Sequence, residues 1–415
     1  MTPEILLHEL GDPVNAVLTV QQADAVARQR IATVVPLGGG HWSLTPGTKV
    51  GVCTIGDTVV RVLPKIEISR VFYLLGYAAK PGWRPETVLF ETVDDLVTAL
   101  AYAFAMQAER AVEQGLMQGY VEVDDALPVL RGRMRDSEQL TRRFGLAVPL
   151  LVRFDDYTTD IAENRLLKAA TERLLSLPGI TPKARQQLRG LRVLFGDIGS
   201  LRRGMPLPAW RPNRLNSRYQ VALWLADVVL RNNSLDHSAG DMQANGFMLD
   251  MAKLFEDFIV RRLGDALTAI DGTTRAQDHW LLDVEGHVKL RPDLVWYDND
   301  GNPQAVIDAK YKAEKPAGFP NADIYQLLAY CTALELRVGH LVYAKGNEAA
   351  AVATIRNAGV RVVALAVDLS ALPIDLERQI DEIAGQISAE TVRPSLADTA
   401  TPSPFALGSD QATQG

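Results

Sequence analysis

Cysteine is almost absent from this sequence: Cys53 and Cys331 are the two in 415 residues, far apart and each in apolar surroundings. That excludes a disulfide framework and leads us to expect two reduced core thiols. Long hydrophobic runs are missing as well. No apolar stretch approaches the ~20 residues that cross a bilayer, so no membrane association is expected. The opening "MTPEILLHEL" lacks a basic region followed by an apolar core, which argues against a signal peptide and for a cytoplasmic protein. The six histidines are scattered, and no C-x-x-C or H-E-x-x-H spacing occurs, so a zinc centre is not expected. "GGGHWSLTPGTK" (38–49) is glycine-rich, but it fails the spacing of a phosphate-binding loop and reads as a hairpin turn. Nucleotide binding by this chain is not expected.

What is present is ordinary for a globular protein of two or three domains, with 47% hydrophobic and 22% charged residues. The net charge of −7 argues against a nucleic-acid partner until its distribution is considered. From Lys183 to Arg218 there are nine basic residues, Arg202 and Arg203 among them, against the single acid Asp197. "RGRMRDSEQLTRR" (131–143) holds five arginines, including Arg131, Arg133 and Arg135, against Asp136 and Glu138. Such local basic surface binds phosphate even on an acidic protein. It is equally read as a solvated face, or as arginines packed against acids elsewhere.

Short β-branched runs separated by Gly, Pro or Asp make residues 1–70 β-rich. Helical spacing predicts helices near 93–115, 160–176 and 217–232, with strands across 120–153. The polar stretch "NNSLDHSAGD" places a domain boundary at residue 235. Beyond it we expect a long helix over about 245–270, strands near 274–282, 286–297 and 303–311, and a helix at 322–336. Two more strands and a helix at 371–389 complete an α/β sandwich with a mixed sheet over 236–392. The tail from residue 393, rich in Ser, Thr, Pro and Gly, is expected to be disordered.

The chemistry concentrates in "RPDLVWYDNDGNPQAVIDAKYK" (291–312), which reads as two apolar strands around a strong turn. Asp308 and Lys310 project from one face of their strand. If the strands pair as a hairpin, Asp293 approaches Asp308. Two buried like charges repel unless a cation lies between them, and a hard divalent ion with oxygen ligands, Mg²⁺ most naturally, resolves the conflict. Asp293 and Asp308 are then the metal ligands. Lys310 orients or deprotonates the attacking water, or stabilises charge on a phosphorus transition state. That combination is phosphodiester hydrolysis. Glu256, at the border of the long helix's apolar stripe, is a candidate third carboxylate or an exposed glutamate. Gln326 and Tyr330, four apart on one helix face, are candidates to position the lysine or the DNA backbone. Lys312 is a candidate DNA contact.

At "RPD", "DAK" and "QLLAY" the sequence resembles the PD-(D/E)xK nuclease superfamily, and more narrowly the McrC family of McrBC-type modification-dependent (type IV) restriction systems. "VRVLPKI" (60–66) with "VFYLLGYA", "LRGRM" (130–134), "DIAENRLLK" (160–168) and "LFEDFIVRRL" (254–263) carry the resemblance over about 1–390. It implies a PD-(D/E)xK endonuclease domain over 236–392, preceded by a mixed β and helical region, 1–235, that binds and stimulates an AAA+ partner. Asp293, Asp308 and Lys310 become the catalytic triplet. The implied partner is an McrB-like AAA+ GTPase hexamer, which binds the GTP. The implied substrate is double-stranded DNA with modified cytosine, and the arginine clusters acquire a second possible use as partner contacts. Two other readings stay open: a regulatory subunit that activates the partner without cutting, and a stand-alone RecB-like repair nuclease.

Overall fold

The computed structural model describes residues 3–79, 95–142, 146, 148–201, 205–234, 244–311, 321–344 and 351–391. Arg202, Arg203 and Lys312, the boundary at residue 235 and the tail from residue 393 lie outside the described residues.

Strands dominate the start of the chain, as its β-branched runs predict. β1 (Glu4–His8), β2 (Val14–Val17), α1 (Val20–Arg28), β3 (Ala32–Gly38), β4 (His41–Pro46), β5 (Lys49–Ile55) and β6 (Thr58–Leu63) follow in order. β5 and β6 form a hairpin that β1 joins in parallel, while β2, β4 and β3 make a separate antiparallel sheet. Helix α1 lies inside the stretch expected to be β-rich. Thr19 and Gln22 cap each other's backbone at its start, and Ala23 and Val26 are buried with Leu7, Leu44 and Ile55.

Helices α2 (Ile68–Ala79) and α3 (Leu96–Val112) precede an antiparallel arm. The arm comprises β7 (Gly119–Leu127), β8 (Arg133–Met134), α4 (Asp136–Arg142) and β9 (Leu150–Thr158), with β7 and β9 paired along their full length. Next come α5 (Ala162–Leu175), α6 (Pro182–Leu194), α7 (Gln220–Arg231) and the short β10 (Asn233–Ser234). Part of the basic stretch 183–218 is thus the amphipathic α6. Thr181 caps it with Pro182 in its first turn, Leu188 and Leu191 are buried, and Arg189 and Arg192 are exposed.

The expected long helix from about residue 245 is two elements: β11 (Ala244–Asp250) and α8 (Met251–Ile270). β11 runs antiparallel to β5, with Gly246 opposite Cys53, and so belongs to the amino-terminal sheet. The side chain of Asp250 accepts from Ala252 N and caps α8 at the junction. Phe247 therefore enters the core from a strand, while Met251, Leu254, Phe255, Phe258 and Ile259 form the helical stripe.

Beyond α8 lie β12 (Thr273–Ala276), β13 (Trp280–Leu281), β14 (Lys289–Leu290), β15 (Leu294–Tyr297), β16 (Pro303–Lys310), α9 (Asn321–Ala333), β17 (Val338–Ala344), β18 (Ala351–Thr354), β19 (Arg361–Val367) and α10 (Pro373–Thr391). The expected strand 286–297 divides into β14 and β15 around Pro292, which has no amide proton for a ladder. The main sheet has the order β12-β15-β16-β17-β19-β18. β16, β17 and β19 are parallel and the outer pairings antiparallel, which is the mixed sheet expected. Leu294, Trp296, Ala305 and Ile307 face the core containing α8 and α10, whereas Val295, Tyr297 and Val306 face α9. One apolar core runs from Val50 and Phe72 through the helices to Leu365, so the amino- and carboxy-terminal parts share their packing.

Gly51 sits where β5 meets β11. Its φ is +133°, and a Cβ there would lie 2.1 Å from the Phe247 carbonyl oxygen. Gly51→Ala should therefore lose about 1–3 kcal/mol of stability in urea unfolding. An unchanged midpoint would mean that the two strands separate without consequence.

Candidate active site

Asp293 stands one residue ahead of β15, and Asp308 lies in β16. Antiparallel pairing sets Leu294 opposite Ile307, which brings the two acids together at one end of the ladder. Asp293 Oδ2 accepts from Ala309 N at 2.9 Å, and the Asp293 carboxylate stands near enough for its charge to act on Asp308. Asp308 is only 1% exposed. Lys310, two residues on and so on the same face, is the ion-pair partner of Asp308 Oδ2. That buried oxygen has no hydrogen bond among the described residues.

Burial, and after it the charge of Asp293, push the Asp308 carboxyl up to about 7 against the opposing pull of Lys310. Near neutrality Asp308 is poised to lose its proton, and a cation would favour that loss. Among the described residues, no three His, Cys, Asp or Glu side chains form a metal cage by themselves. The donor set fits an open site instead. Mg²⁺ takes one or two carboxylates and completes its shell with water and phosphate oxygens, and Asp293 with Asp308 Oδ2 offers that much.

Lys310 is held from its other side by α9. Its Nζ donates to Gln326 Oε1 at 2.9 Å, Gln326 Nε2 donates to Tyr330 Oη at 2.7 Å, and Tyr330 Oη donates to the Arg291 carbonyl at 3.2 Å. Burial, with the Asp308 charge adding to it, pushes the Tyr330 phenol up to about 12, so the hydroxyl keeps its proton for that last bond. The chain of bonds has one direction, and it presents the carbonyl end of Gln326 to the ammonium.

Glu256 on α8 is half-buried, and its pKa is raised by desolvation first and by Asp293 next. It is joined to the pair through a residue that the sequence does not single out. Gln277 Nε2 donates to Glu256 Oε1 at 2.7 Å and to Asp293 Oδ1 at 3.2 Å. The surrounding "TRAQDH" carries no motif. Only the register of β12 against β15 brings residue 277 to Asp293.

The arginines are elsewhere. Arg131 pairs with Asp156 at 2.7 Å and stacks over Phe154, and Arg135 pairs with Asp124 and Glu138. Arg133 is exposed on β8 and makes no ion pair among the described residues. All three belong to the arm, and the ion pairs of Arg131 and Arg135 close on the arm's own acids.

The buried carboxyl has a consequence for stability. Folded Asp308 keeps its proton up to pH about 7, whereas an unfolded carboxyl has lost it above pH ~4. Between those limits the folded state binds more protons, so stability falls as pH rises and levels off above 7. Asp308→Asn lacks this titration. Between pH 5 and pH 8 the metal-free wild type should lose about 2–3 kcal/mol more than the variant in urea unfolding. Equal losses would mean that Asp308 is ionised throughout.

The family model described as "McrBC 5-methylcytosine restriction system component" matches residues 44–344, a span that contains Glu256, Gln277, Asp293, Asp308, Lys310, Gln326 and Tyr330. The fold is similar to a chain in the refined half-complex from a tetradecameric assembly of Thermococcus gammatolerans McrB AAA+ hexamers with bound McrC. The TM-score is 0.58 at 18% identity, covering 92% of this chain and 100% of that one. A chain of the Thermococcus gammatolerans McrBC complex aligns at a TM-score of 0.41 and 20% identity, over 64% of this chain and 88% of that one. No curated protein matches significantly. Among the described residues, no helix is long and apolar enough to cross a membrane. The family match spans most of the sequence, and the chain belongs to the McrBC 5-methylcytosine restriction system component family.

Proposed function

We propose that this chain is the Mg²⁺-dependent endonuclease subunit of a modification-dependent restriction complex. It hydrolyses phosphodiesters in DNA bearing modified cytosine and stimulates the NTPase of an McrB-like AAA+ partner. The observation that carries the reading is the strand register that sets Asp293 beside buried Asp308, with Lys310 paired to Asp308 on the same strand face. These are the parts of a PD-(D/E)xK site.

Mg²⁺ held by Asp293 and Asp308 supplies Lewis-acid polarisation of the phosphoryl oxygen and a water of lowered pKa. The chain's own residues do the rest. Asp293 is fixed by Ala309 N, so its carboxylate does not turn away when DNA arrives. Lys310, held by Gln326, points its ammonium to where charge develops on the phosphate oxygens. Water adds to phosphorus and gives up a proton to solvent, the bond to the leaving sugar oxygen breaks, and that oxygen takes up a proton from solvent.

The partner half of the proposal is supported by family membership and by the arm. β7 and β9 expose Tyr120 and Tyr157, and the connections beyond them expose Val129, Leu130, Leu146 and Val148. A ribbon with so little core of its own is marginal alone in water, and its apolar tip is suited to a protein partner. Residues 1–235 then serve the partner and 236–392 the nuclease, with β11 tying the second range to the sheet of the first.

Cleavage of methylated plasmid with Mg²⁺ and GTP, with and without the AAA+ partner, tests this. Lys310→Ala should slow cutting by about 100-fold or more while partner NTPase stimulation persists. Cutting at the wild-type rate would remove Lys310 from the chemistry. Stimulation without cutting by either chain would favour a regulatory subunit, and cutting without the partner a RecB-like nuclease. Separately, Val129→Asp with Leu130→Asp should weaken NTPase stimulation by about tenfold and leave thermal unfolding unchanged. Full stimulation by that variant would place the partner contact elsewhere.

A further inference from the structure

Gln277 is held in a costly way. It follows β12 with φ at +52°, a left-handed conformation that Gly or Asn adopts more readily than glutamine. Its backbone N donates to the Asp293 carbonyl at 3.0 Å, an anchor any residue would provide. The side chain does something that few residues would. One amide nitrogen reaches Glu256 Oε1 at 2.7 Å and Asp293 Oδ1 at 3.2 Å. The two acids stand on different layers, α8 and the sheet, and the amide joins the layers. Only its nitrogen end can face two carboxylates, because the oxygen end has no proton to donate.

The chemistry of the donor matters. A lysine or arginine in this place would hold the two carboxylates more strongly, but it would also neutralise the charge that a cation needs and compete for the same oxygens. A neutral amide fixes both carboxylates and leaves their charge available. Each carboxylate oxygen that accepts one hydrogen bond keeps a lone pair for a metal or its water.

On the reading of the site as a Mg²⁺ nuclease centre, we propose that Gln277 is its positioning residue. It draws Glu256 in from α8 beside Asp293, so that the waters of a divalent cation held by Asp293 and Asp308 would meet a third carboxylate. Outer-sphere donors of this kind orient metal-binding carboxylates, and removing one costs about 10–100-fold in metal affinity.

The test is Mn²⁺ binding to the full chain without DNA or partner, read as free Mn²⁺ by electron paramagnetic resonance. Asp308→Ala identifies the site as the binding it abolishes. Gln277→Gly keeps the backbone N–H and relieves the left-handed strain, so a merely structural role predicts unchanged affinity and equal or higher thermal stability. The positioning role predicts about tenfold weaker Mn²⁺ binding in a fully folded variant. Gln277→Asn, which also tolerates the conformation but is one methylene short, should weaken binding similarly. In a Glu256→Ala background, Gln277→Gly should add little, because the two act through one contact. Wild-type affinity in both Gln277 variants overturns the proposal while leaving the nuclease reading intact. Absence of any Mn²⁺ binding that Asp308→Ala removes overturns both.

Discussion

A carboxylate inside a β-sheet is tolerated only where something offsets its lost hydration. Asp308 occupies a position in β16 flanked by buried Val306 and Ile307, where valine would pack without penalty. Much of the surrounding geometry follows from that one burial. The antiparallel register of β15 brings a second acid alongside, which raises the cost further. Lys310 lowers it, Gln326 and Tyr330 hold the lysine, and the Ala309 amide steadies Asp293. A fold optimised for stability alone would have none of these groups here. Positions that serve function commonly give up stability in this way.

The same strand joins the site to the rest of the chain. Tyr311 directly follows Lys310 and turns to the opposite face, where its ring packs at 5.8 Å from that of Phe255, the neighbour of Glu256. Lys65, just after β6, lies 5.7 Å above that ring. Glu9, just after β1, is buried beside it, with its carboxyl raised by desolvation. The amino-terminal sheet therefore packs directly behind β16. Separating the two parts would expose Tyr311 and Phe255 together, so neither part has a complete surface without the other.

The sequence makes the hairpin legible because three local rules agree there: alternation of period two, strong turn residues, and acids at positions that alternation buries. Gln326 and Tyr330 are legible for a similar reason, since a spacing of four fixes a shared helix face. The expected helix over 245–270 starts too early because Phe247, Met251, Leu254 and Phe255 continue one helical rhythm across an element boundary. Only the pairing of β11 with β5, about two hundred residues back in the chain, decides otherwise. Helices α1 and α6 were hidden by their neighbours, one in a run of strands and one in a run of charge. Gln277 is illegible in principle. Its meaning depends on Glu256 and Asp293, which lie on other elements, and no local pattern in "TRAQDH" refers to them.

Charge is sorted by position across the molecule. Around Asp293 and Asp308 the hydrogen-bonding side chains are neutral amides, Gln277 and Gln326, with Lys310 as the ion-pairing cation. Arg131 and Arg135 are on the arm, where Asp156, Asp124 and Glu138 meet them. A guanidinium forms a bidentate pair with a carboxylate and does not give up its proton, so one placed beside Asp293 would satisfy that charge permanently. A lysine is a weaker, movable partner. The site thus holds its acids together through one movable ammonium in place of a fixed guanidinium.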